Sequence, residues 1–281
     1  MIRTAFAYER PDTIEAAVRL LAATEGSGRV LGGGSVLVPA MSAGEEQPSL
    51  IVDVSRLAGL RTIRENGTNV EIGAGVTYAA LEASSVVTDR LPLLAAMVRE
   101  VTGGPGLWNL ATLGGAACRA NPASDGPGCL VALAAGFRLQ SVRGVRIVAA
   151  ERFFHGAYET ERAEDEILTD LILPAASWTK RTAYVKVKHA ASSWPIVTAS
   201  CAFAPGKGVR LCIGAASPVP ILTEWAATEW PGADRVHEMA QQAAAAMVTE
   251  WADELAGPGY RRAIAATVAA RAIRAVTEGM A

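Results

Sequence analysis

Val30-Leu31-Gly32-Gly33-Gly34-Ser35-Val36-Leu37-Val38-Pro39 is the stretch on which the fold turns. A short apolar strand, Arg29-Val30-Leu31, runs into three consecutive glycines and a serine. An apolar segment follows at once. Glycines carry no Cβ, so their N–H groups can approach an anion closely. Far downstream, Thr112-Leu113-Gly114-Gly115-Ala116 repeats the idea. Two such loops suit a diphosphate, with the hydroxyls of Ser35 and Thr112 as further donors. Taken alone, each loop reads first as a tight turn with close backbone packing. The usual nucleotide fingerprints are absent. Leu37 stands where the third glycine of G-x-G-x-x-G belongs, and no Gly-Lys-Ser/Thr occurs. A Rossmann or P-loop site is therefore disfavoured.

Outward from these loops the elements are mixed. Residues 11–23 read as a helix, with Asp12 and Glu15 at capping-box spacing. Leu50-Ile51-Val52-Asp53-Val54 reads as a buried strand, and 69–75 as a half-buried one. Residues 77–84 and 93–101 look helical. The region 103–128 is dense in Gly, Pro, Asn and Asp and reads as a long functional loop. A compact helix is expected over 129–135. Hairpins are expected around Arg143-Gly144 and Gly206-Lys207-Gly208, with strands at 167–173 and 183–188. Two helices, 234–255 and 258–277, close the chain around Gly257-Pro258-Gly259. This order is α+β, not a regular βαβ alternation. A domain boundary is expected near 174–180, dividing the chain into 1–175 and 176–281.

Composition narrows the function. The 281 residues are 51% hydrophobic and 19% charged, enough to bury a sizeable core. The formal net charge of -2 argues against nucleic acid or an anionic membrane as partner. No signal peptide or bilayer-spanning run stands out, so a cytoplasmic protein is expected. Cys118, Cys129, Cys201 and Cys212 form no CxxC pair. They read as buried thiols in a reducing compartment rather than ligands of zinc or an iron–sulfur cluster. The three histidines show no metal spacing.

The ordered set of motifs resembles the FAD-binding medium subunit of molybdenum hydroxylases, the carbon monoxide dehydrogenase and xanthine dehydrogenase type. The set comprises Val30 to Pro39, Leu50 to Val54, Thr112 to Gly115 and Asn121-Pro122-Ala123-Ser124-Asp125. It continues with Phe153 to Thr160, Asp165 to Leu168, Ala183-Tyr184-Val185-Lys186 and Tyr260-Arg261-Arg262. The resemblance implies a two-part FAD-binding domain of the vanillyl-alcohol-oxidase (PCMH) type, followed by a smaller C-terminal α/β domain. It implies that Gly32, Gly33, Gly34, Ser35, Val36 and Leu37, with Thr112, Leu113, Gly114, Gly115 and Ala116, cradle the diphosphate of FAD. Asp125 then bonds the ribityl region; its ordinary alternative is to cap the N–H groups of Gly126 and Gly128. Leu168 and Lys186 match positions near the isoalloxazine ring, although a lysine at a strand end is ordinarily a solvated charge. No residue is assigned a catalytic role. The partners implied are an iron–sulfur small subunit and a molybdenum-cofactor large subunit. The acceptor implied is NAD, oxygen or a quinone.

The sequence departs from the family in places. Ala116 stands where the family has Asn or a similar polar residue, a loss of about 0.5–1.5 kcal/mol of hydrogen bonding. Ser35-Val36 replaces a more polar pair, and Trp108-Asn109 replaces Arg-Asn. Trp108 either fills a core gap or stands near the flavin, and Trp194 occupies a position that is often polar. Two alternatives follow. The tryptophans would suit a stand-alone flavin enzyme on the same fold. The missing polar groups at Ala116 and Val36 would suit a flavin-free binding or assembly module.

Overall fold

The first element is a short strand for which the sequence carried no expectation. In a computed structural model describing residues 1–175, 181–204, 206–226 and 235–277, the first elements are β1 (Ala7–Glu9), α1 (Ile14–Ala22), β2 (Gly28–Leu31), α2 (Leu37–Ala43) and β3 (Leu50–Asp53). The three strands form a parallel sheet in the order β1–β3–β2. Thr13, not Asp12, starts α1: its hydroxyl accepts the Ala16 N–H at 3.1 Å. Ala17, Val18 and Leu21 bury the inner face. The Gly32–Ser35 loop joins β2 to α2, so one local βαβ unit carries the first glycine run.

Next come β4 (Ile63–Asn66), β5 (Asn69–Gly73), α3 (Tyr78–Glu82), α4 (Ser85–Arg90) and α5 (Pro92–Glu100). The region expected as one long loop instead holds α6 (Gly104–Trp108), α7 (Leu113–Arg119) and α8 (Gly126–Ala132). The residues that suggested a loop are helix starters here. Pro105 and Pro127 lie in first turns, where a missing N–H costs nothing, and Thr112 caps α7. The helix expected at 129–135 thus starts and ends three residues early.

The strands β6 (Gly136–Ser141), β7 (Gly144–Ala149), β8 (Phe154–Gly156), β9 (Glu159–Thr160) and β10 (Ile167–Leu173) follow. An antiparallel sheet in the order β4–β5–β10–β6–β7 is the centre of this region. Val70, Ile72, Phe137, Leu139 and Leu171 point from it into the main core. The opposite face carries Arg64, Glu71, Arg138 and Asp170 in one ion-pair network. Strand β5 is therefore covered on both faces, with Glu71 only 5% exposed, and not half-buried as its alternation suggested.

Beyond residue 175 lie β11 (Arg181–Val187), β12 (Val197–Ala204), β13 (Gly208–Gly214), β14 (Ile221–Ala226), α9 (Val236–Ala245) and α10 (Tyr260–Thr277). The four strands pair antiparallel in sequence order. The hairpin at Gly206-Lys207-Gly208 is as expected; β14 was not foreseen. One face, with Val197, Ala199, Cys201, Leu211 and Ile213, packs on α9 and α10. The other meets α8 and α5, where Tyr184, Ala202, Cys212 and Leu222 join the main core. The helix expected over 234–255 stops at Ala245, and residue 234 lies outside the described residues. Arg261 holds the stretch that replaces its second half. Its fully buried guanidinium donates to the carbonyls of Ile196, Trp251 and Ala256 and to Asp253, fixing the loop before α10. Most of the boundary expected at 174–180 also falls outside the described residues.

Candidate cofactor-binding site

The two glycine runs meet. A Cβ on Gly33 would stand 1.7 Å from the Leu110 carbonyl oxygen, so only glycine lets the first loop lie on the backbone before the second. Gly114 is equally constrained: its Cβ would meet the Ala74 backbone and Cβ at 2.5–2.7 Å. These two glycines answer to the chain's own packing. Gly32 does not. A Cβ there would find only the Thr112 hydroxyl, at an ordinary 3.7 Å. Gly34 turns the chain at φ +70°. Gly115 is exposed and its N–H is accepted by the Thr112 hydroxyl at 3.0 Å. Thr112 thus caps α7 and also faces Gly32. Around this junction Val36, Val38 and Leu110 are exposed.

The second loop continues into Asp125. A Cβ on Gly126 would lie 3.6 Å from Leu113 Cδ1 and 3.8 Å from Ala116 Cβ, so the start of α8 rests on the first turn of α7. Asp125 occupies the N-cap position of α8, yet its carboxylate makes no capping hydrogen bond. The capping alternative is therefore wrong. The carboxylate turns instead to the C-terminal sheet. Tyr184 donates its phenol to Oδ1 at 2.5 Å. Lys186 Nζ lies 2.9 Å from Oδ1 and 3.0 Å from Oδ2. Lys186 also donates to the Glu100 carbonyl at 2.9 Å. Its side chain is 1% exposed, so it is no solvated surface charge. Tyr184 and Lys186 reach the same carboxylate because residues two apart on a strand share a face.

Burial pushes the Asp125 carboxyl up from its usual range, against the pull of the Lys186 ammonium and the Tyr184 phenol. Burial also raises the Tyr184 hydroxyl well above its usual value, and the Asp125 charge adds to that. The Thr198 hydroxyl is near enough to temper the Tyr184 shift, although it makes no hydrogen bond of its own.

Leu168 is buried on β10, opposite Leu139, in the same core as Leu113. The carbonyl of the next residue, Thr169, accepts the Ala74 N–H at 2.9 Å, behind Gly114. Leu168 thus underlies the second loop rather than joining the Asp125 cluster. Trp108 fills a gap: its indole N–H donates to the Val101 carbonyl at 2.9 Å and its ring packs on the core. Trp194 is 44% exposed. Tyr184 had no assigned role in the sequence reading. Its only signal there was its place two residues before Lys186.

The cradle fits a dinucleotide diphosphate. Gly32 is a glycine that the chain's own packing does not require, beside a threonine hydroxyl and two loop backbones. Comparison with known proteins defines the class. Residues 4–176 match the FAD binding domain in molybdopterin dehydrogenase. Across its length the chain is 32% identical to the carbon monoxide dehydrogenase medium chain of Hydrogenophaga pseudoflava, with 98% of each covered. It is 37% identical over 171 residues to the nicotine 6-hydroxylase medium subunit of Paenarthrobacter nicotinovorans, covering 61% of this chain and 60% of that one. The solved carbon monoxide dehydrogenase from Hydrogenophaga pseudoflava superposes with a TM-score of 0.88 at 30% identity, again with 98% of each chain covered. The chain belongs to the FAD-binding medium subunits of the molybdenum hydroxylases. Its fold is the PCMH-type FAD-binding arrangement with a further α/β layer, its cofactor is FAD, and it is an oxidoreductase subunit. No described helix is long and apolar enough to cross a membrane.

Proposed function

We propose that this chain holds FAD at the junction of its glycine loops and passes electrons through it within a cytoplasmic, multi-subunit hydroxylase. Its partners are an iron–sulfur small subunit, which delivers the electrons, and a molybdenum-cofactor large subunit, which oxidises the substrate. An acceptor such as NAD, oxygen or a quinone removes them. Residues 1–175 form the FAD-binding domain and 176–281 the C-terminal domain. Bound FAD supplies the redox chemistry, and the protein supplies binding, orientation and electrostatics. Gly32 to Leu37 and Thr112 to Ala116 bind the diphosphate by backbone N–H groups, which need no side chain at Ala116 or Val36. Asp125 accepts from the ribityl chain. Lys186, whose ammonium is committed to Asp125 and Glu100, acts through Asp125. Leu168, buried behind the second loop, and Lys186 lie near the isoalloxazine ring.

Gly32 carries this reading, because nothing in the chain itself forbids a side chain there. Gly32→Ala should fold with unchanged thermal stability and lose FAD affinity by at least roughly ten-fold, about 1.4 kcal/mol. Visible absorbance during FAD titration measures it. A variant with wild-type affinity would remove the first loop from the site. Gly114→Ala is the poorer test, because its Cβ strikes Ala74 whether or not a cofactor binds.

A further inference from the structure

Asp125 gives up its ordinary role. An aspartate at an N-cap normally accepts a helix N–H, for about 1 kcal/mol. Here the carboxylate is drawn off the helix and held by two donors on one face of β11. The rest of α8 is gripped by the same sheet. At its far end Arg210 donates to the carbonyls of Val131 at 2.9 Å and Ala132 at 3.1 Å. Midway, a Cβ on Gly128 would lie 3.4 Å from the Gly214 Cα, so helix and strand touch backbone to backbone. The C-terminal sheet therefore fixes where Asp125 sits. Among the described residues, Tyr184 and Lys186 are the donors that fix how its carboxylate is turned, Lys186 spanning both oxygens and Tyr184 holding Oδ1.

We propose that Tyr184 is a positioning residue for FAD: its hydroxyl, donating to Oδ1 of Asp125, locks the carboxylate in the single orientation and acceptor-only state that a ribityl hydroxyl needs. This rests on the reading of Asp125 as a cofactor ligand. The chemistry is direct. A carboxylate offers about four acceptor positions. The Tyr184 hydroxyl takes one and the Lys186 ammonium spans both oxygens, which leaves acceptor capacity for a ligand. Loss of the phenol donor would remove one hydrogen bond to the ionised form. The carboxyl would then protonate at higher pH and become a donor. The other charged or titratable groups that bear on Asp125 are Lys186, Lys188, Tyr78 and Cys129. Of these, Lys186 already reaches Oδ1, and Lys188, Tyr78 and Cys129 make no hydrogen bond to Asp125.

FAD titration of the full chain, alone or in its complex, tests this across pH. Tyr184→Phe keeps the ring and removes only the donor. It should weaken FAD binding roughly ten-fold at neutral pH, the scale of one hydrogen bond to a charged group. The pH at which affinity falls should also move upward. In an Asp125→Asn background, where the amide carbonyl can still accept the phenol but no carboxyl titrates, Tyr184→Phe should no longer move the pH at which affinity falls. Tyr184→Met, equally unable to donate, gives the same readings should the phenylalanine variant not fold. An unchanged affinity and pH profile for Tyr184→Phe, with Asp125→Asn still weakening binding, overturns the role of Tyr184 alone. So does an equal pH shift in both backgrounds, which marks a structural effect. Failure of the wild-type chain to bind FAD overturns the functional reading and this inference together.

Discussion

Two carboxylates in this chain are both buried and both paired with cations, yet they sit in opposite electrostatic conditions. Glu71, on the outer face of the five-stranded sheet, accepts from Arg138, Asn66 and Arg64. Those hydrogen bonds, led by Arg138, pull its carboxyl down to about 2. Its arginines keep 25% and 44% of their side chains in water, so their desolvation is partial. Asp125 has a lysine that is 1% exposed, and burial wins: its carboxyl is pushed up. The first arrangement ties strands together. The second spends stability on a buried charge beside two glycine loops, where such groups are found when they serve a ligand.

Removing each carboxylate sharpens the contrast. Asp125→Ala should be the costliest, because it strands a buried ammonium. The expected loss is about 3–5 kcal/mol, with FAD binding lost as well. Denaturant unfolding of the apo-chain measures the first and FAD titration the second. A loss no larger than that of a surface pair would mean that the Lys186 site admits water and that the two clusters are alike.

Glu71→Gln should cost less, about 1–2 kcal/mol at neutral pH, since its partly exposed arginines can return to water. The sign in acid is the sharper reading. The folded carboxyl of Glu71 lies below its unfolded value of 4.5. Its contribution is therefore fully present above that value and disappears as pH falls from there to about 2. Asp125 works the other way: its folded carboxyl is raised, so acid relieves the cost of its burial. Glu71→Gln should thus flatten the acid limb of the stability profile, and Asp125→Asn should not. If Asp125→Asn flattened it instead, the two environments would be assigned the wrong way round.

The glycine junction was legible in the sequence because its signal is local. Runs of glycine beside Ser35 and Thr112 announce close backbone approach, although not what is approached. Only the packing separates Gly33 and Gly114, which make room for Leu110 and Ala74, from Gly32, which does not. The Asp125 cluster was legible by half. Asp125 and Lys186 were both marked through the family pattern, but their contact spans 61 positions and depends on how β11 lies on α8. No periodicity carries that. Tyr184 stood in the same motif as Lys186, but its role was hidden for the same reason. The helices within 103–128 were hidden by composition: Pro105 and Pro127 read as loop residues, yet each starts a helix. β14 had no alternation strong enough to set it apart from coil.

A third carboxylate supplies the baseline for the contrast. Glu65 on β4 pairs with Arg90 at 2.5 Å, and both side chains are open to water, 47% and 36% exposed. Both ends stay in contact with water, and holding two long side chains in one geometry offsets much of the attraction. Glu65→Gln should therefore change stability by less than about 1 kcal/mol, a Tm shift of no more than roughly 3 °C for a chain of this size. Added salt should erase even that, since charges in water are screened. FAD affinity should not move. A Glu65→Gln loss as large as that of Glu71→Gln would show that solvent exposure does not rank these clusters, and that their difference lies in strand pairing rather than in the burial of charge.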